Sequence, residues 1–171
     1  DEIFLELWDR VYVQGEDPPL KRIRLWTCGE GQLDTLDLLD VEADLVVNAK
    51  CFGDPKASSA LKAHDGRYPV IISRLVSHDV FPDWLGELKY ELLRLLSEND
   101  DLDVVIFCRA GQHRSVAAAT LLKRIAKQQS WEVSLTHLNW RRCNCDRCST
   151  NRHDNVREAA VAKAVSLWKH G

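Results

Sequence analysis

The chain has 171 residues, of which 45% are apolar and 29% charged, with a formal net charge of −3. That balance fits a globular domain with a sizeable core and excludes a disordered or collagen-like chain; no apolar run approaches the length that crosses a bilayer. The small net charge conceals an asymmetry, because residues 1–44 carry twelve acids against four bases whereas residues 109–152 carry nine bases against two acids.

In chain order, residues 1–20 read as an N-terminal extension closed by the stiff turn Asp17-Pro18-Pro19, ahead of one domain over residues 21–171. Alternating polar and apolar residues predict a strand over 22–28, and the GEGQ that follows predicts a turn. Residues 43–50 contain a buried-strand run that Gly53, Asp54 and Pro55 end. A short helix is expected over 56–64 and an extended segment over 68–72. Pro82 and Asp83 open a long helix whose Leu85, Leu88, Leu92, Leu95 and Leu96 share one face. Residues 103–108 read as a central strand and 114–127 as a helix. Ala118, Leu121, Leu122 and Ile125 of that helix point inward and Lys123, Arg124 and Lys127 outward. Residues 131–138 alternate again as a strand, and a last helix is expected from about residue 154 to 169. Strands alternating with helices imply a three-layer α/β sandwich with a mainly parallel sheet flanked by helices.

The stretch VIFCRAGQHRS, residues 105–115, carries the chemistry. A strand that ends in a tight loop and enters a helix leaves backbone N–H groups converging on the loop, where the helix dipole also favours negative charge. Arg109, Ala110, Gly111, Gln112, His113, Arg114 and Ser115 are therefore candidate contacts for an anion. Arg114 can grip a phosphate or carboxylate in a planar fork, Ser115 can donate a hydroxyl, Gly111 permits close backbone approach, and His113 can transfer a proton near neutral pH. The same setting favours thiolate at Cys108. Both a nucleophile and an anion site over a spectator thiol are open.

CRAGQHRS resembles the phosphate loop of cysteine-dependent protein phosphatases, C-x-x-G-x-x-R-[ST]. That resemblance implies an enzyme in which Cys108 attacks phosphorus, Arg114 clamps the oxygens and Asp83, in VFPDW, is the general acid; Asp83 also reads as an N-cap of its own helix. A second resemblance covers more of the chain. LWTCGEGQ, EADLVVNAKCFGDP, VVIFCRAGQHRSVAAATLL and VSLTHLNW come in the order seen in the C-terminal domain of the RapZ (RNase adapter protein) family, over residues 22 to 140. Gly111, His113, Arg114, Ser115 and Val116 carry it most specifically. The resemblance implies an α/β fold, a phosphate or phosphosugar pocket at 109–115, recognition of a small RNA, and Asn48 and Lys50 lining the same mouth. The family's Thr-Gly pair is Arg109-Ala110 here, and its Asp and Arg of the second block are Asn48 and Lys50. No G-x-x-x-x-G-K-[ST] of the family's nucleotide-binding domain occurs.

An RNA partner would meet the charges of Lys123, Arg124, Lys127, Arg141 and Arg142, with Trp140 either stacked on a base or packed at a strand end. His137 reads as facing the ligand mouth or the core. In RRCNCDRCSTNRHD, Cys143, Cys145, Cys148 and His153 place three thiols and an imidazole within a short loop. These are the ligand types of tetrahedral structural zinc; a redox pair or free thiols are the alternatives. The spacing of the six cysteines suits no disulfide framework, which points to a reducing compartment and a cytoplasmic address. Methionine is absent, so a domain cut from a longer chain is expected. A homo-oligomer is left open.

Overall fold

The computed structural model describes residues 2–11 and 19–171. The Asp17-Pro18 part of the expected stiff turn lies outside the described residues. In chain order the elements are α1 (Glu2–Val11), β1 (Arg22–Gly29), a 3-10 segment (Glu30–Leu39), β2 (Leu45–Asn48), a 3-10 turn (Pro55–Ala57), α2 (Pro69–Val76), α3 (Phe81–Leu96), β3 (Asp101–Cys108), α4 (Arg114–Gln128), β4 (Glu132–His137) and α5 (Asn155–His170).

The four strands form one parallel sheet in the order β2-β3-β1-β4. Side chains alternate across the pleat, so β3 sends Leu102, Val104 and Ile106 into the main core and Val105 to the opposite face. The main core lies between the sheet and the helices, with Ile23 and Leu25 of β1 against Leu92, Leu122 and Trp168. The other face is thinner, with Leu36 of the 3-10 segment and Val41 covering Cys28 and Val105. Helices, sheet and 3-10 segment are the three layers of an α/β fold. Among the described residues no helix is long and apolar enough to cross a membrane.

Three local expectations are corrected. Residues 69–76 are helical, not extended. Pro69 sits in the first turn, where its fixed φ suits a helix, and Ile71, Ile72, Leu75 and Val76 are buried at helical spacing. Packing there overrides the β preference of the Val-Ile-Ile run. Residues 56–64 form no helix beyond the Pro55–Ala57 turn, because the chain must bend to bury Leu61 and Asp65. The run over 43–50 yields only a four-residue edge strand whose Val46 is exposed. Within the expected extension, residues 2–11 are α1, which buries Leu7 and Val11 and sets Phe4 edge-on to Tyr90 of α3.

Candidate functional site

β3 delivers Cys108 to the carboxyl end of the sheet, where parallel sheets open their ligand crevices. The chain turns through residues 109–113 and enters α4 at Arg114. Gly111 makes the turn with φ of 75°, and a Cβ there would lie 2.6 Å from the Gly29 nitrogen, so the loop stacks on the end of β1. Ala117, Ala118 and Ala119 let α4 lie close against the sheet.

Cys108 is buried, with its Sγ 3.3 Å from Ser115 Oγ. Burial pushes its thiol up. The Ser115 hydroxyl, the N–H groups of Ser115 and Gly111 and the Arg114 guanidinium outweigh that and hold it below the ordinary cysteine range. Loop amides therefore converge on one point and favour negative charge there. His113 is buried and its Nε2 has no hydrogen-bond partner. Burial also lowers the pKa of His113, against the pull of the carbonyls of His64 and Lys62.

Arg114 is held from behind. Its Nη1 donates to the carbonyls of Lys50 at 2.9 Å and Phe52 at 3.0 Å, and its Nη2 lies 3.6 Å from Asp54 Oδ2. Asp54 and Lys56 join the loop in lining a cavity of about 10 Å³ over Cys108 and Arg109, no more than one water requires. Across the Asp54–Arg114 pair lies a second cavity of about 220 Å³, lined by Phe52, Arg74 and His78 among others.

Asn48 and Lys50, expected at the mouth, do not line that small cavity. The Asn48 side chain accepts from the Lys50 backbone at 2.8 Å, and the Lys50 ammonium pairs with Glu30 at 2.6 Å. Arg109 is exposed at the loop tip. Asp83 is exposed in the first turn of α3 and is not brought to the loop; its helix has Val80 as N-cap with no side-chain cap. The carboxylate beside the loop is Asp54, which sequence reasoning passed over as a turn residue.

Lys123, Arg124, Lys127 and Arg142 do come together, with Arg67 and Trp140, around a cavity of about 390 Å³ between α4, β4 and the segment after β4. Arg124 is paired with Glu158 at 2.8 Å. Arg141 does not line this cavity; its backbone bonds the Gln112 side chain, Gln112 Nε2 donating to its carbonyl at 2.7 Å and its N–H bonding Gln112 Oε1. Trp140 is packed between Arg67, 4.7 Å from its ring centroid, and His137, at 4.3 Å. His137 itself lies 2.6 Å from Thr27 Oγ1, and burial pushes its pKa down to about 4. Between that value and the unfolded value of about 6.5 the unfolded chain binds a proton that the folded chain refuses, so stability rises with pH across this window. The contribution is complete above about pH 6.5 and lost as pH falls toward 4. With part of the ring exposed, the expected loss is on the order of 1–2 kcal/mol. Urea denaturation at pH 7 and pH 5 checks this: wild type should lose stability that His137→Gln does not.

The thiols of Cys143, Cys145 and Cys148 meet His64, and the four ligand atoms lie within 4.8 Å of one another, a group that could hold a metal ion. His153, the expected fourth ligand, is instead exposed with its Nε2 2.8 Å from Asn155 Oδ1, because the chain turns outward there to start α5. His64 lies 79 residues before Cys143, and no spacing signal marks it among six histidines. Beside it, buried Asp65 and Arg67 form an ion pair at 2.8 Å that sequence reasoning also missed.

The RapZ C-terminal domain family matches residues 37–141. A protein of *Caldicellulosiruptor bescii* named nucleotide-binding protein is 30% identical over 105 residues, covering 58% of this chain and 36% of its own length. One of the same name from *Jannaschia* sp. is 27% identical over 133 residues, covering 75% and 40%. Another, from *Pseudomonas syringae* pv. *syringae*, is 32% identical over 104 residues, covering 58% and 36%. The chain thus spans well under half the length of these relatives.

Proposed function

The chain belongs to the RapZ C-terminal domain family, and from that premise we propose that its loop 108–115 binds the phosphoryl group of a small molecule, a phosphosugar or a nucleotide. The observation that carries this reading is the convergence of the Gly111 and Ser115 amides and the Arg114 guanidinium on Cys108. The name that the relatives bear fits a phosphorylated ligand. The acting unit is the domain of residues 21–171, in the reducing cytoplasm that six free cysteines suit. For the thiol–imidazole cluster the proposed cofactor is structural Zn²⁺.

Asp54 sets the condition for binding. Its carboxylate faces Arg114, and the cavity beside it is too small for a phosphate, so the ligand displaces the turn that carries Asp54. RNA, the second partner, meets the separate basic cavity through Lys123 and Lys127, neither of which is paired with an acid among the described residues. Calorimetry with inorganic phosphate, glucosamine 6-phosphate, a nucleoside monophosphate and a structured RNA tests both. Arg114→Ala should weaken the small phosphorylated ligand at least about tenfold, and Asp54→Asn should tighten it by about three- to tenfold. Lys123→Ala with Lys127→Ala should weaken RNA alone, and less so at high salt. Silence of wild type and Asp54→Asn toward every small phosphate would remove the reading.

The lowered thiol keeps a phosphatase as the second reading, with Cys108 as nucleophile and Arg114 as clamp. Asp83 is not proposed as its general acid, since it does not line the cavity over Cys108. Turnover of an aryl phosphate that disappears in Cys108→Ser would decide for the enzyme.

A further inference from the structure

We infer that His64, Cys143, Cys145 and Cys148 bind one Zn²⁺ ion, and that this ion keeps the loop 108–115 in shape by joining the two segments that grip it. The second half rests on the reading of that loop as the binding site; the metal site stands without it.

The distances are those of a coordination shell. The sulfurs of Cys143, Cys145 and Cys148 lie 3.6, 3.5 and 3.5 Å from His64 Nδ1. Zinc takes sulfur at about 2.3 Å and imidazole nitrogen at about 2.0–2.1 Å, so a regular tetrahedron requires N···S edges of about 3.5 Å. Hydrogen bonding does not account for this arrangement. An imidazole nitrogen offers one proton or one lone pair and serves one partner, not three at equal range. None of the three cysteines is in a disulfide. Three thiolates and an imidazole fill a tetrahedron and leave no open position, which makes the ion structural.

Charge supports the same conclusion. A zinc ion with three thiolates carries a net charge of −1, and binding releases the thiol protons. Beside the cluster lies Arg157, 2% exposed, which makes no ion pair among the described residues. It donates to the carbonyls of Arg67 at 3.1 Å and Ser149 at 3.3 Å, and also to that of Arg147, while its Nε has no acceptor. Asp154 and Glu158 attract it only from beyond ion-pair distance, and a buried guanidinium so weakly compensated is unfavourable; an anionic centre at Cys148 adds countercharge.

The link to the loop is short. On one side, Gly66 N–H donates to the Gln112 carbonyl at 3.0 Å, two residues past His64. On the other, the Gln112 side chain bonds the backbone of Arg141, two residues before Cys143. Gln112 is thus held from both sides by the segments that carry the metal ligands, which are also joined directly where the Cys143 N–H donates to Asp65 at 2.8 Å and Arg67 Nη2 donates to the Cys143 carbonyl at 2.7 Å. Removing the ion loosens both grips at once.

Metal content of the purified chain by mass spectrometry should be about one Zn²⁺ per chain, retained in His153→Ala and lost in His64→Ala. Hydrogen exchange, read without any anion present, then tests the coupling in wild-type protein, which avoids reliance on variants that fail to fold. Chelation should speed exchange at residues 108–115 about tenfold or more while α3 keeps its protection, and Zn²⁺ should restore it. Absence of zinc, or zinc kept by His64→Ala and lost by His153→Ala, overturns the site. Exchange at 108–115 that ignores chelation, or that rises equally in α3, overturns the coupling. Failure of phosphate to bind would strike the loop reading and leave these results in place.

Discussion

Gly66→Ala is expected to lower the unfolding free energy by about 3 kcal/mol or more. A Cβ at this position would lie 2.1 Å from the His113 carbonyl oxygen, 2.5 Å from the Ala117 nitrogen and 2.7 Å from the Val116 Cβ. The first two atoms are partners in a hydrogen bond of 2.8 Å at the start of α4, so the methyl group would enter the first turn of the helix. Backbone cannot swing aside as a flexible side chain can. The segment cannot recede either, because Gly66 N–H is bonded to Gln112 and both neighbours, Asp65 and Arg67, are locked in a buried pair. For a domain of this size the loss corresponds to a fall in Tm of about 6–12 °C. Gly86→Ala in α3 is the comparison: nothing lies within 4 Å of its Cβ, and alanine should stabilise the helix by about 0.5–1 kcal/mol. A Gly66→Ala protein within 1 kcal/mol of wild type, by urea denaturation, would mean that residues 64–67 are not seated on α4.

Asp65→Ala should be as damaging for a different reason. Asp65 is fully buried and accepts from the Arg67 backbone at 2.8 Å, from Arg67 Nη2 at 2.8 Å and from the Cys143 N–H at 2.8 Å. Burial works against the charge of Arg67, and its hydrogen bonds to Asp65 overcome that, leaving the guanidinium above its ordinary range. Deleting the carboxylate strands a buried cation and an amide, an expected loss of about 3–5 kcal/mol. The cause is the orphaned charge, so Arg67→Met in the Asp65→Ala background should recover about 1–3 kcal/mol. Equilibrium denaturation of the two single variants and the double variant measures this coupling. Strictly additive losses would show that the pair does not act as a unit.

Much of the fold is legible from local rules. The alternation before Cys28 and the apolar run before Cys108 produce the two central strands, and the leucine spacing after Asp83 produces α3. Such patterns survive because burial on one face is what selects them. Residues 69–76 defeat the same rules, since a segment that opens on a β-branched Val-Ile-Ile run, with only Ser73 and Arg74 to mark a polar face, takes its conformation from α4 and α5, against which it packs. The loop between Cys108 and Ser115 is legible for a related reason. Its donors are backbone groups within eight residues of one another, so a strand, a glycine and a helix start suffice to assemble them.

What chain-local information determined about this protein is therefore the parallel α/β layering, the loop between Cys108 and Ser115, and the presence of three thiols in one short segment. The tertiary structure alone decided which histidine closes the thiol cluster, which carboxylate confronts Arg114, and that Lys50 turns to Glu30 instead of the loop. His64, Asp54 and Glu30 lie tens of residues from their partners. Their pairing is set by how strands and helices stack and not by any periodicity along the chain, and a contact made by stacking leaves no mark in sequence spacing.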